Sequence, residues 1–365
     1  MGIMASVPVT GVLLCFMGML GAQLNASPVQ QQQELENILE EGDVQADWQW
    51  QAIEGSFCRD GSQAGFFVQE KADATDLVIY LEGGGACFND QTCNNNPSSI
   101  NPNQTPNNFG ILDSDDERNP VKTWNKVYVP YCTGDVMAGS NDNADVSSRY
   151  RAQKFVGYRN MGLFLQDLTD RFAAVDRVLL TGESAGGFGA AYNFDRVQIA
   201  FGGTPVYLLS DSGIPFADEY LPPCLQSIWR GLWNLNETMP EDCIDCRQPN
   251  GGGIANMLEL ISSKYGGRQF GFLSSTADMT IRIFYGFGNN SCRPFIPLMS
   301  EGKFRAGLFD VRDRYMTDDF VTFFVNGQDH TYLTNERFYQ TQANGLRVYE
   351  WVTQFVEQQA SSVGP

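Results

Sequence analysis

The sequence has little of what cationic or multi-histidine metal chemistry needs. It contains one histidine, His330, in 365 residues. A multi-histidine metal site is therefore excluded, and any step that needs an imidazole falls to His330. Cations are scarce: 24 Lys and Arg stand against 43 Asp and Glu, a formal net charge of −19. A protein tracking nucleic-acid phosphates carries the opposite balance, and the same charge disfavours adhesion to anionic membranes. Beyond residue 20 no apolar run is long enough to span a bilayer. Neither a G-x-G-x-x-G fingerprint nor a phosphate loop ending in Lys-Ser/Thr is present, and no internal repeat is visible.

What is present is apolar material, 42% hydrophobic and 12% aromatic residues, enough for a sizeable core. The length fits two domains or one large α/β domain with insertions. Val7 to Leu20 is an uncharged apolar run followed by small residues, and residues 1–26 read as a signal peptide cleaved near Ala22 or Ala26. Residues 27–50 are Gln- and Glu-rich and read as a linker, which leaves a catalytic domain over 51–365. With Cys15 in the leader, eight cysteines remain, an even number that fits four disulfides and a secreted, extracellular protein. Cys243-x-x-Cys246 has no second such pair and no nearby histidine, so it reads as a structural bridge. Cys87 and Cys93 sit close enough in sequence to close a short loop. Asn103, Asn236 and Asn289 open N-glycosylation sequons.

Short β-rich runs recur at 77–81, 126–130, 177–181, 205–209, 270–273 and 320–325. Several lack polar alternation, as strands buried on both faces do. Helical spacing falls between some of them, over 158–172 and 186–200. Strand and helix in alternation imply an α/β fold with a mainly parallel sheet covered on both faces. Residues 213–268 carry five prolines and three cysteines, interrupt the rhythm, and read as a disulfide-tied cap or insertion.

Gly182-Glu-Ser-Ala-Gly186 is G-x-S-x-G between a strand pattern and a helix pattern, the setting of a nucleophile elbow, and Ser184 is the candidate nucleophile. The run Glu82-Gly-Gly-Gly-Ala86 follows the first buried strand. Such a loop supplies an oxyanion-hole N–H, from Gly84 or Gly85, and the residue after the nucleophile, Ala185, supplies the other. His330, in the turn after the strand 320–325, is the base. The acid falls between nucleophile and histidine in chain order, and two aspartates follow strands there, Asp278 and Asp211. Spacing leaves both open, with Asp278 ahead. Asp329, next to His330, is badly placed to reach that ring's Nδ1.

The blocks Tyr80-Leu-Glu-Gly-Gly-Gly-Ala-Cys87, Tyr131-Cys-Thr-Gly-Asp135, Phe155-Val-Gly-Tyr158, Gly182-Glu-Ser-Ala-Gly-Gly187, Asn193-Phe-Asp-Arg196, Asp211-Ser-Gly213, Ser275-Thr-Ala-Asp278 and Asn326-Gly-Gln-Asp-His330 occur in this order over about residues 55–340. Together they resemble the pectin acetylesterase family, which includes Notum-like carboxylesterases. The resemblance implies an α/β-hydrolase fold and an extracellular O-deacylase that needs no metal or cofactor. It assigns Ser184 as nucleophile, Asp278 as acid and His330 as base, with Gly84, Gly85 and Ala185 as the oxyanion hole. It also implies a Cys58–Cys132 disulfide, and the last four cysteines then tie the cap. Relatives often carry Trp soon after the first glycines, where Gly85-Ala86 stands here.

The expected activity is removal of acetyl or another short acyl group from polysaccharide hydroxyls such as those of pectin. The alternatives are a Notum-like deacylase of a lipid-modified protein, a catalytically silent binding protein on the same scaffold, and a serine peptidase. Pectin is a polyanion, and a charge of −19 gives no long-range attraction to it. A basic cluster at Arg149, Arg151, Lys154 and Arg159 is the local candidate to offset this. Small residues at Gly85-Ala86, with Phe216, Trp229 and Trp233 as an aromatic wall, predict acetyl and butyryl esters over palmitoyl.

Overall fold

The computed structural model describes residues 48–293 and 298–365. The leader expected over 1–26 and the linker up to residue 47 lie outside the described residues. The linker's last residues do not: Gln49 already opens the first strand.

An eight-stranded sheet forms the centre. In chain order its strands are β1 (Gln49–Phe57), β2 (Gln63–Gln69), β3 (Asp76–Leu81), β4 (Asn125–Val129), β7 (Arg177–Glu183), β8 (Val206–Asp211), β9 (Phe270–Ser275) and β10 (Phe320–Val325). A small pair, β5 (Asn141–Ala144) and β6 (Gln153–Phe155), stands apart from it. The spatial order is β1-β2-β4-β3-β7-β8-β9-β10. β2 runs antiparallel to both neighbours, and every pairing from β4 through β10 is parallel. The six apolar runs read from sequence are these six parallel strands. β1 and β2 escaped that reading. β1 is mostly exposed along its length and its register shifts between Ala52 and Phe57, so it lacks the apolar period that marks an inner strand.

Continuous apolar strands feed two cores, because successive side chains point to opposite faces. Leu77, Ile79 and Leu81 of β3 enter one cluster, and Val78 and Tyr80 enter the other. On the first face lie α1 (Gly157–Arg171) and α2 (Ala185–Phe201). α1 buries Met161, Phe164, Leu165 and Leu168, spaced i, i+3, i+4, i+7.

Between β8 and β9 come α3 (Pro223–Trp233) and α4 (Asn256–Tyr265), and after β9 come α5 (Met279–Gly286) and α6 (Glu301–Tyr315). The second face is covered by α7 (Val348–Val356), which buries Val348, Trp351, Val352 and Phe355 at the same spacing as α1.

Four disulfides are formed: Cys58–Cys132, Cys87–Cys93, Cys224–Cys292 and Cys243–Cys246. The last closes a loop inside the 213–268 segment. Cys224–Cys292 instead ties the start of α3 to the chain beyond α5. Among the described residues no helix is long and apolar enough to cross a membrane.

Candidate active site

Ser184 stands between the end of β7 and the first turn of α2. Its backbone is held at φ 54° and ψ −120°, a sparsely populated region for a residue with a side chain. Glycine makes the turn feasible: a Cβ at Gly186 would collide with the Leu81 carbonyl at the end of β3. The elbow is fixed from outside by the Ser184 N–H, which donates to the Asp211 carbonyl at 2.8 Å. Ala185 is the first residue of α2, so its N–H has no partner within the helix and sits at the positive end of the helix dipole.

Asp278 caps α5. Its Oδ1 accepts the Ile281 N–H at 2.9 Å, and its Oδ2 lies 2.7 Å from Nδ1 of His330. A carboxylate only accepts, so Nδ1 carries the proton and Nε2 is left as the basic nitrogen. Asp278 is fully buried, whereas a fifth of the His330 side chain is exposed. Burial pulls the His330 pKa down. The hydrogen bond and charge of Asp278, with the charges of Asp211 and Glu183, outweigh it and hold the pKa above the ordinary histidine value. No hydrogen bond joins Ser184 Oγ to His330 in this conformation; in free enzymes such bonds are often long and tighten around substrate.

Asp211, the other candidate acid, does not meet the imidazole. Its carboxylate turns to the loop after His330 and accepts the N–H groups of Tyr332 and Leu333. Glu183, beside Ser184, is tied to the same loop by the Thr334 hydroxyl at 2.7 Å. Neither role was legible in the sequence, because both depend on which loop the sheet order brings alongside.

Gly85 takes φ +80° and lines a cavity together with Ser184 and Ala185. Gly84 faces away from it, against the Tyr131 ring, and its carbonyl accepts from Asn96 Nδ2 at 2.7 Å. The cavity holds about 860 Å³ including its open mouth. Its walls are almost wholly apolar, with Phe188, Trp229, Trp233, Met257, Ile281 and Phe284 among them. The tyrosines on the wall offer rings rather than hydroxyls. Tyr192 Oη is engaged with Thr238 and Leu235, and Tyr285 Oη donates to the Ile214 carbonyl. Trp233 likewise spends its Nε1–H on the Cys87 carbonyl. Of the expected aromatic wall, Trp229 and Trp233 face the cavity, while Phe216 is core, packed on Tyr285 and Phe304.

The basic cluster is largely answered locally. Arg159 pairs with Asp142 and Arg151 with Asp145, while Arg149 donates to Asn94. No grouping of three or more metal-ligating side chains occurs among the described residues.

Curated relatives match part of this sequence. The human palmitoleoyl-protein carboxylesterase NOTUM is 30% identical over 211 residues, covering 51% of this chain and 42% of that protein. The zebrafish (Danio rerio) palmitoleoyl-protein carboxylesterase notum1a is 33% identical over 212 residues, with 51% and 41% covered. The matched stretch thus spans less than half the length of these relatives. Among solved structures, that of the Wnt deacylase Notum from Drosophila superposes with a TM-score of 0.65 at 19% identity, covering 87% of this chain and 95% of that one. This likeness supports the α/β-hydrolase-like fold. The family model described as pectinacetylesterase matches residues 44–255, a stretch that holds the glycine loop and Ser184 and ends before Asp278 and His330. On that match, more than half of its length, the chain belongs to the pectinacetylesterase family, whose Notum-like members are carboxylesterases.

Proposed function

We propose that the protein is an extracellular serine esterase that removes a medium- or long-chain acyl group from a hydroxyl of a lipid-modified protein. Ser184 attacks the ester carbonyl. His330 Nε2 takes its proton and later delivers it to the departing alcohol, while Asp278 holds the Nδ1–H tautomer and steadies the imidazolium. The N–H groups of Gly85 and Ala185 stabilise the tetrahedral oxyanion. Water then repeats the sequence on the acyl-enzyme. Every proton moved belongs to the side chains, substrate or water.

The observation that carries the acyl assignment is the cavity wall. Beside Ser184 it presents mostly apolar carbon and no uncommitted tyrosine hydroxyl, with the Trp229 Nε1–H as its one side-chain donor lacking a partner among the described residues, an environment that stabilises methylenes more than it serves a sugar. This favours a longer acyl chain than the short one expected from Gly85-Ala86. The names of the curated relatives, palmitoleoyl-protein carboxylesterases, support the same reading. The four disulfides fit an oxidising, extracellular setting.

An acyl-length series on chromogenic esters tests the proposal. Each buried methylene contributes about 0.8 kcal/mol, roughly a factor of four in kcat/KM. The series is expected to climb to at least eight carbons. A flat or falling series beyond four carbons restores the acetylesterase reading, with acetylated pectin and xylan as the substrates to try next. A fluorophosphonate should label the protein and not its Ser184→Ala variant.

A further inference from the structure

The oxyanion loop is not held by its own strand alone. The Gly84 carbonyl accepts from Asn96 Nδ2 at 2.7 Å. Only a donor can face a carbonyl, so the amide orientation of Asn96 is fixed by its partner. The peptide between Gly84 and Gly85 is trans, as are all peptides among the described residues. In a trans peptide the C=O and the N–H point in opposite directions within one plane. Pinning the Gly84 oxygen toward Asn96 therefore turns the Gly85 N–H the other way, on the residue that lines the cavity with Ser184. That N–H has no hydrogen-bond acceptor among the described residues. Gly85 sits at φ +80°, a conformation glycine leaves readily, so the loop needs an external restraint to keep one orientation.

The backbone of Asn96 is itself anchored. The residue is 7% exposed. Its backbone carbonyl accepts from the Arg59 guanidinium at 2.9 Å, and the same nitrogen reaches the Cys93 carbonyl at 3.3 Å. The Cys87–Cys93 disulfide closes residues 87–93, within the stretch between the glycines and Asn96. Its side-chain oxygen packs where a Cβ at Gly134 would stand, 2.9 Å away.

We infer that Asn96 is a positioning residue for the esterase reaction, setting the Gly85 N–H toward the developing oxyanion through the Gly84 carbonyl. The inference rests on the serine-esterase reading above. It also separates the two loop glycines: Gly85 donates, and Gly84 is the lever by which that donor is aimed.

The test uses Asn96→Asp, which keeps the size and removes the donor, and Asn96→Ala. Active sites are titrated with a fluorophosphonate, so that kcat refers to competent protein whatever fraction folds. Both variants are measured on an octanoyl ester for kcat and KM, and with an alkyl boronic acid that mimics the tetrahedral anion. Loss of a whole oxyanion donor costs about 10²–10³ in kcat, and a misaimed donor should cost about 10- to 100-fold, with KM within about threefold. Boronate affinity should weaken by about the same factor as kcat, a correlation that general loosening of the fold does not produce. Unchanged kcat in both variants, or a kcat loss without the boronate loss, overturns the inference and leaves the serine reading standing. A wild-type protein that no fluorophosphonate labels removes both.

Discussion

The Asp211 carboxylate accepts the backbone N–H of Tyr332 at 2.5 Å and that of Leu333 at 2.9 Å, while the Asp211 carbonyl accepts the Ser184 N–H. One residue thus links the Ser184 turn to the loop that carries His330, from the end of the strand between them. Burial first, and then the charge of Glu183, pushes the Asp211 pKa up to about 7, against the two N–H groups and the His330 charge that hold it down.

The stability consequence has a definite sign. Between the ordinary aspartate value of 3.8 and about 7, folded Asp211 keeps a proton that the unfolded chain has released. Its contribution is present in full below that ordinary value and is lost as pH rises through about 7. An Asp211→Asn variant keeps a carbonyl oxygen for the two N–H groups and has nothing to titrate. Its melting temperature should decline less than that of the wild type across this window. Parallel melting curves would show that Asp211 does not hold its proton there.

Catalysis separates the two aspartates. Asp278→Asn leaves an N-cap of equal quality on α5 and should fold normally. It removes the acceptor that fixes the Nδ1–H tautomer and should lower kcat by roughly 10³-fold or more. Asp211→Asn, which preserves its clamp, should stay within about tenfold of wild type. Steady-state kinetics on one ester, with circular dichroism of both variants, decides the order; the reverse order would make Asp211 the acid.

The pH–rate profile follows from His330. A protonated imidazole cannot accept the serine proton, so kcat/KM rises with pH through the histidine pKa. Asp278, Asp211 and Glu183 raise that pKa despite burial, so the acid limb should fall above the ordinary value of 6.5. Ionised Asp211 contributes one of those charges, and Asp211→Asn should move the limb to lower pH. An acid limb at or below that ordinary value would contradict this electrostatic picture.

The parallel strands and their two buried faces were legible because both cores demand apolar residues at successive positions, as in Leu77-Val-Ile-Tyr-Leu81. The elbow was legible because a strained turn at Ser184 demands glycine around it. Asp278 and Asp211 were harder to separate. Asp211 ends a parallel strand and Asp278 follows one by three residues, and only the direction of each carboxylate tells the histidine's partner from the loop's anchor. Asn96 left no trace in the spacing, since an asparagine in an Asn-rich loop has no pattern until a disulfide folds that loop onto Gly84. The cavity beside Ser184 was legible only in pieces. Trp229 and Trp233 stand out in the sequence, but that they face the same space as Gly85 depends on how α3 lies over the elbow.

That space gives the last prediction. Ile254, half-buried just before α4, lines the cavity with Met257 and Leu258. An Ile254→Trp substitution adds volume on this wall without touching Ser184, Asp278, His330 or the Gly85 loop. Because Ile254 is not fully enclosed, the larger ring has room to turn outward in part, and overpacking should stay near the lower end of the usual ~1–3 kcal/mol. The variant should hydrolyse acetyl and butyryl esters within about threefold of wild type. It should lose roughly a factor of four in kcat/KM for each methylene that the filled volume no longer accepts, so that octanoyl and longer esters fall furthest. The short esters serve as the internal control for folding and for the catalytic residues. A uniform loss across the series would mean that the ring disturbs the catalytic geometry. An unchanged series would mean that the acyl chain runs elsewhere than along the wall formed by α3 and α4, and the long-chain reading of the cavity would then be lost.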